Sequence, residues 1–505
     1  MVTESFTCRA GKERAWHPRA LAVRWRSDHG RLQVNRETSP TISEQHQDGL
    51  PIPQRYWSAA AIWLALSMAV LDGSIANVAL PTIAAGLGAS PAMSVWIVNA
   101  YQLTITILLL PLAAYGDRCG YRRIYIPGLV LFTLGSLGCA MASSLATLIA
   151  ARVFQGIGAA CIMSMNAALV RATYPAKMLG RGIGYNALVL SMSAAAGPTL
   201  AALILSVASW PWLFLINLPI GIAAVIIGLK ALPHVQGHGH PFDWVAALLS
   251  GAMMGCTVFG AETFARESGA LGSALIVAGI IAGALLVRRE WGDPAPLFPV
   301  DLLKNRIFGM SIGTSTVSFA AQMLAYVTLP FLFQSVLGRS AFQTGLLMTP
   351  WPLALGVVAP IAGRLADKVR AGLIGGIGLA IFAFGLFMLS RLGTHPGTID
   401  IVWRMAVCGA GFGLFQSPNN RTIVSSAPRQ RSGAAGGMLA TARLLGQTSG
   451  AVVVGVAFHL AGVQVGPELL TASAVAALIA AGLSLLRLRS PRTEHRREEG
   501  ATILD

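Results

Sequence analysis

The stretch Ala69-Val70-Leu71-Asp72-Gly73-Ser74-Ile75-Ala76-Asn77-Val78-Ala79-Leu80-Pro81 decides how the other residues of this 505-residue chain are read. It belongs to an apolar run from Trp57 to Pro81, long enough for the roughly 20 residues that cross a bilayer. A carboxylate there costs on the order of 3 kcal/mol on insertion scales, and more on an isolated helix facing lipid. Asp72 is therefore expected to face a protein interior or a water-filled cavity. Two readings stand side by side: an acid on an ion or substrate path, and a structural Asp satisfied by a neighbouring helix.

Working outward, thirteen further apolar runs follow, at about 94–115, 124–142, 146–170, 182–206, 212–230, 244–264, 270–287, 307–334, 342–363, 372–391, 399–420, 433–459 and 469–487. Only 11% of the residues are charged, where a soluble protein carries about 25%. The runs are too long for barrel strands and do not alternate, so the fold class is an all-α membrane protein. The net charge of +16 could signal nucleic acid, but the basic residues sit in short loops between apolar runs. That pattern fits anionic lipid and the positive-inside rule. Arg118, Arg122 and Arg123, then Arg171, Lys177 and Arg181, mark alternate loops, and the interleaved loops carry almost no cations. Both termini are expected in the cytosol with an even helix count. Residues 1–55 read as a disordered basic cytosolic tail without the apolar centre of a secretory signal, and 489–505 as a basic cytosolic tail. Cys8, Cys119, Cys139, Cys161, Cys256 and Cys408 form no CxxC pair, which gives neither a metal site nor a disulfide framework. His234, His238 and His240 read as a solvated loop rather than a metal site, and Asp243 as the N-cap of the next helix.

The chain also repeats. Gly116-Asp117-Arg118 returns as Ala366-Asp367-Lys368, and the acids are 250 residues apart. Arg152 with Gln155-Gly156-Ile157-Gly158 returns as Arg404 with Gly409-Ala410-Gly411-Phe412-Gly413, at an offset of 252. The expected architecture is two six-helix halves, 56–232 and 301–488, in one orientation. Two extra helices and a linker at 233–300 lie between them. Parallel repeats with a site between them are a transporter design.

Depth links two charges. Asp72 is about 22 Å along the first helix from one face, and Arg152 about 10 Å along the fourth from the other. In a core about 30 Å thick they reach nearly the same level, so an Asp72–Arg152 pair is allowed, while separate backbone or water partners remain the alternative. An opposite charge favours the ionised acid and burial disfavours it, so a group between the two can switch protonation. Asp117 and Arg118, with Arg122 and the repeated Asp367, read as a conformational latch or as a solvated basic loop. Gly197-Pro198 breaks the fifth helix, as a hinge or for packing. Glu262 ends the seventh run and reads as interfacial. Asn77, Gln102, Gln155, Gln322, Tyr326, Gln416, Asn419 and Arg443 are intramembrane polar positions of which some should line a cavity.

These motifs together resemble the major facilitator superfamily, and within it the fourteen-helix drug:proton antiporters of bacteria. Gly116-Asp117-Arg118-Cys119-Gly120-Tyr121-Arg122-Arg123 is similar to the signature between helices two and three. The Leu71–Pro81 stretch is similar to the first-helix signature of the fourteen-helix branch, Arg152–Ala160 to the fourth-helix motif, and Gly197-Pro198 to the Gly-Pro of helix five. Trp212-Leu213-Phe214-Leu215-Ile216-Asn217-Leu218-Pro219-Ile220-Gly221 is also typical of the branch. The chain departs from the pattern at Ala113, Tyr121, Ala201 and Ala202.

The resemblance implies proton-driven export of lipophilic, often cationic, drugs or toxic compounds across the inner membrane. It implies Asp72 as the proton-responsive acid, Arg152 as its relay partner, and Asp117 with Arg118 as latch. The expected partners are a substrate, protons and membrane lipid, with no nucleic acid and no cofactor. The protein is expected to be a monomer, with a periplasmic adaptor as an option. A transporter for a single metabolite or siderophore is the alternative. An enzyme is disfavoured because HExxH and Gly-x-Ser-x-Gly motifs are absent from the sequence, and the missing P-loop points to an ion gradient as energy source.

Overall fold

Fourteen helices long and apolar enough to cross a membrane carry the fold of the computed structural model. It describes residues 49–235, 242–266, 269–291, 300–366, 368–427 and 431–489. In chain order they are α1 (Gln54–Gly86), α2 (Pro91–Cys119), α3 (Tyr121–Ala140), α4 (Leu145–Thr173), α5 (Arg181–Val207), α6 (Trp212–Ala231) and α7 (Trp244–Ala261). Then come α8 (Gly269–Glu290), α9 (Arg306–Val336), α10 (Ala341–Leu365), α11 (Ala371–Ser390), α12 (Thr398–Ser425), α13 (Ala434–Ala461) and α14 (Val463–Leu486). Local chemistry sets their ends. Ser144 and Thr147 form a reciprocal capping box before α4, as Ser340 and Gln343 do before α10. Gly120 sits at φ +93° between α2 and α3, a conformation that costs a side-chain-bearing residue dearly.

Packing sorts the helices into two six-helix bundles and a pair between them. In the first bundle α1 packs on α5 and α6, α2 on α4, and α3 on α4 and α6. In the second α9 packs on α13 and α14, α10 on α12, and α11 on α12 and α14. The inserted α7 and α8 pack chiefly on each other, with α7 also touching α2 and α13. Their outer faces expose Leu248, Phe259, Ile280 and Ile281, an apolar surface suited to lipid.

The repeat seen in the sequence recurs as geometry. A Cβ on Gly158 of α4 would collide with the backbone of Phe132 and the Gly128 carbonyl on α3. A Cβ on Gly411 of α12 would collide with the backbone of Phe382 and the Gly378 carbonyl on α11. Small residues let membrane helices approach to backbone contact, and here the same contact is built twice.

The bundles meet along a seam. Thr82 of α1 donates to Gln334 of α9 at 3.1 Å, and Gln334 returns a bond to the Val78 carbonyl at 3.1 Å. Thr199 of α5 and Thr349 of α10 share a 2.8 Å hydrogen bond. These contacts gather toward the end of the molecule where α1 and α9 finish and α10 begins.

Both ends of the described helical body are anchored. The segment expected to be tail up to residue 55 is already docked at its end: the Leu50 amide donates to the Thr173 carbonyl at 3.1 Å, and Arg55 Nε to the Leu50 carbonyl at 2.9 Å. Arg487, near the end of the half expected over 301–488, is buried: it bonds Asn419 Oδ1 at 2.6 Å, Ser311 Oγ at 2.8 Å and Ser484 Oγ at 2.6 Å. Residues 1–48, His238, His240, Asp367 and 490–505 lie outside the described residues, as does the side chain of Glu262.

Candidate functional site

Asp72 and Arg152 meet in the middle of the first bundle. One Arg152 Nη1 bond goes to Asp72 Oδ2, and both side chains are 0% exposed. Neither charge could stand alone in such a place, because the desolvation of each is offset only by a close partner and further hydrogen bonds. Those further bonds are present. Gln155 Nε2 and Asn217 Nδ2 donate to Asp72 Oδ1 at 2.8 and 2.9 Å. Gln155 Oε1 accepts from Arg152 Nη1 at 2.7 Å, and its amide also reaches Ser136 Oγ at 2.8 Å. Arg152 Nε donates to the Ile97 carbonyl at 3.0 Å, and its guanidinium lies 4.1 Å from the Tyr101 ring centre. Five helices, α1 to α4 and α6, thus contribute to the bonding of one ion pair.

Beside this pair, and between the bundles, is a cavity of about 160 Å³. From the first bundle it is walled by Gly73, Ser74, Asn77, Tyr101 and Gln102, and from the second by Gln322, Tyr326, Trp351, Arg443 and Gln447. Tyr101 belongs to both places. Its ring covers Arg152, its hydroxyl donates to the Ala69 carbonyl at 3.0 Å, and it faces the cavity. A single aromatic layer therefore separates the ion pair from the cavity.

Of the polar positions singled out in the sequence, Asn77, Gln102, Gln322, Tyr326 and Arg443 line this cavity. Gln155 does not; it is locked behind the wall on the ion pair. Asn419 also stands elsewhere: it donates to Ser315 Oγ at 2.7 Å and receives Arg487. Gln416 is half-buried on the same helix and outside this cavity's wall. Ser136, Asn217 and Tyr101 were missed as partners of the pair. Asn217 had only a motif as signal, and Ser136 had none, because one hydroxyl in an apolar helix has no periodicity to betray it.

Asp117 and Arg118 are exposed, and Asp117 accepts from the Tyr121 hydroxyl at 2.9 Å. Arg122 donates to the Leu229 and Leu232 carbonyls at the end of α6 and touches His234 at 2.7 Å. These described contacts stay within the first bundle. Gly197 lies so close to Ser74 of α1 that a Cβ would strike the Ser74 hydroxyl, and the Pro198 carbonyl approaches Gly345 of α10 equally closely. The Gly-Pro pair therefore sits where the two bundles cross.

Comparison with known proteins agrees with this geometry. The sequence model of the Major Facilitator Superfamily matches residues 62–451 and 317–501. The chain belongs to this superfamily. It is 53% identical over 449 residues to the transporter YebQ of Escherichia coli (strain K12), covering 88% of this chain and 98% of that protein. It is 33% identical to the riboflavin transporter RibZ of Clostridioides difficile (strain 630), covering 78% of this chain and 86% of RibZ. It is 31% identical to the multidrug resistance protein Stp of Mycobacterium tuberculosis, covering 78% and 74%. Among solved structures, a bacterial homologue of the lysosomal transporter Spinster, inward-facing and unoccupied, matches with a TM-score of 0.62 over 87% of this chain and 98% of that one, at 14% identity. As a superfamily member of the fourteen-helix drug-transporter branch, the protein is a multi-pass membrane transporter and not an enzyme.

Proposed function

We propose that this transporter is a proton-coupled antiporter that exports lipophilic small molecules across the bacterial inner membrane by alternating access, with both termini in the cytosol. The observation that carries this reading is the fully buried Asp72–Arg152 pair, one aromatic layer behind a cavity that both bundles line. Adding a proton to Asp72 removes its charge and with it the attraction to Arg152, while Arg152 keeps Gln155, the Ile97 carbonyl and the Tyr101 face. The freed carboxyl retains two amide donors that suit an anion better than a neutral acid, so the neutral state favours rearrangement. Rocking of the bundles about the Gly197-Pro198 crossing then admits the site to the opposite side, where the proton leaves. Asp117, Arg118, Arg122 and Asp367 serve as the cytosolic latch. In this reading the seam at Thr82 and Gln334 is the closed outer gate.

The likeness to Stp supports a drug exporter, and the likeness to RibZ supports the second reading, a transporter of one metabolite. Efflux of a compound panel from inverted vesicles, with and without an uncoupler, tests both. A broad, uncoupler-sensitive profile supports the first reading, a narrow one the second, and a profile indifferent to the uncoupler contradicts proton coupling.

A further inference from the structure

The cavity wall has an electrostatic asymmetry that the antiporter reading does not use. Arg443 stands on α13, about 14 Å along the helix from its Ala434 end, half-buried against the cavity. Among the described residues its guanidinium makes no hydrogen bond and no ion pair; its one neighbour of note is the Phe319 ring, 5.6 Å away. The wall has no carboxylate to answer it, because Asp72 is turned into the first bundle and already neutralised by Arg152. The other polar wall groups are amides and hydroxyls. Gln102, Gln322 and Gln447 have no side-chain partner among the described residues, and the Trp351 indole N–H is buried and unsatisfied. An intramembrane cation without a counter-ion is expensive and marks a function by default. These neutral groups and the Arg443 guanidinium surround a space whose one formal charge is positive. A cationic substrate would meet that charge in a low-dielectric enclosure with nothing to offset it.

The geometry points to an amphiphilic organic anion as the substrate class: an aromatic or apolar body against Tyr326 and Trp351, with its carboxylate or equivalent acidic group on Arg443. This deepens the exporter reading, on which it rests for the direction of transport, and replaces the expected cationic cargo. Arg443 is a binding group for that anion and is separate from the proton site.

The test is equilibrium dialysis of the purified full-length protein against three probes that share one ring system: 2-naphthoate, 2-naphthamide and 2-naphthylmethylammonium. Saturable binding of the naphthoate, about 10- to 100-fold tighter than the other two, is expected, as for a charge-assisted hydrogen-bonded pair. Arg443→Gln should erase that preference and Arg443→Lys should keep part of it. Because Arg443 has no protein partner to orphan, Arg443→Gln should melt no lower than the wild type. Absent naphthoate saturation, equal binding of the three, preference for the ammonium, a preference that survives Arg443→Gln, or a lowered melting temperature would each overturn the proposal. Dialysis needs no gradient, so its failure leaves proton coupling standing, and an uncoupler-insensitive efflux leaves the anion site standing.

Discussion

Arg152 and Arg404 hold matched places in the two bundles, yet they live in different chemistry. Arg152 is sealed in the interior with Asp72, Gln155 and the Tyr101 ring. Arg404 lies nearly two turns into α12, pairs with Asp400 of the same helix at 2.8 Å, and bonds the Met388 carbonyl, with side chains 14% and 36% exposed. The first bundle holds the buried acid that the proposed antiport would protonate. The second presents to the same cavity an arginine, Arg443, without a hydrogen-bond or ion-pair partner among the described residues, and its sequence has Gln322 where the 250-residue offset from Asp72 falls. Meanwhile the glycine contacts of α3 with α4 and of α11 with α12 are the same on both sides. The two bundles share their packing and differ in their buried charges, because close helix approach is needed in both while the proposed coupling calls for one proton site.

That comparison can be broken. The largest effect is expected from Asp72→Asn, which keeps the shape and removes the titrating group: uncoupler-sensitive efflux should fall to background at unchanged membrane abundance. Arg152→Ala comes next. It leaves Asp72 buried without its cation, a loss of about 3–5 kcal/mol, whereas Arg404→Ala removes a partly exposed pair worth about 0–1 kcal/mol. Thermal melting in detergent should separate the two variants, and equal, negligible shifts would dissolve the distinction between the bundles. Gly158→Ala and Gly411→Ala should instead behave alike, each costing about 1–3 kcal/mol by overpacking; a neutral result at one of them would show that the shared packing is only apparent.

The smallest effect belongs to the inserted pair. Asp243 caps α7, accepting from the Val245 and Ala246 amides at 3.0 Å, and pairs with Arg289 of α8 at 2.7 Å. The Arg289 hydrogen bond, aided by those amides, holds the Asp243 carboxyl below the usual carboxylate range. A depressed acid stabilises the fold above its unfolded pKa and loses that contribution as pH falls through the folded value. Asp243→Asn keeps a capping side chain and removes only the charge paired with Arg289, so it should cost about 0–1 kcal/mol at neutral pH, and the gap to the wild type should close in acid. A melting series across pH checks the sign.

Much of this was legible before any coordinates. Helix number followed from run length, because lipid forces every spanning backbone to satisfy itself. The repeat followed from two offsets that nearly agree. Depth allowed the Asp72–Arg152 pairing without requiring it, since rise per residue converts sequence position into level in the membrane. What stayed hidden was direction around each helix axis. Level does not tell whether Gln155 faces the cavity or Asp72, or that Asn419 turns to Arg487, and helices apolar on nearly every face give no stripe from which to read it. The lone Ser136 was hidden for the same reason, and the buried Arg487 because two of its partners, Ser311 and Asn419, come from helices far away in sequence.

The most direct test of the account is proton movement in inverted vesicles made with wild-type protein and with Asp72→Asn at equal abundance, each given a compound from the panel that the wild type transports. Substrate addition should dissipate an imposed proton gradient in wild-type vesicles and leave it intact in the variant. Equal dissipation by both would contradict the assignment of Asp72 as the group that carries the proton.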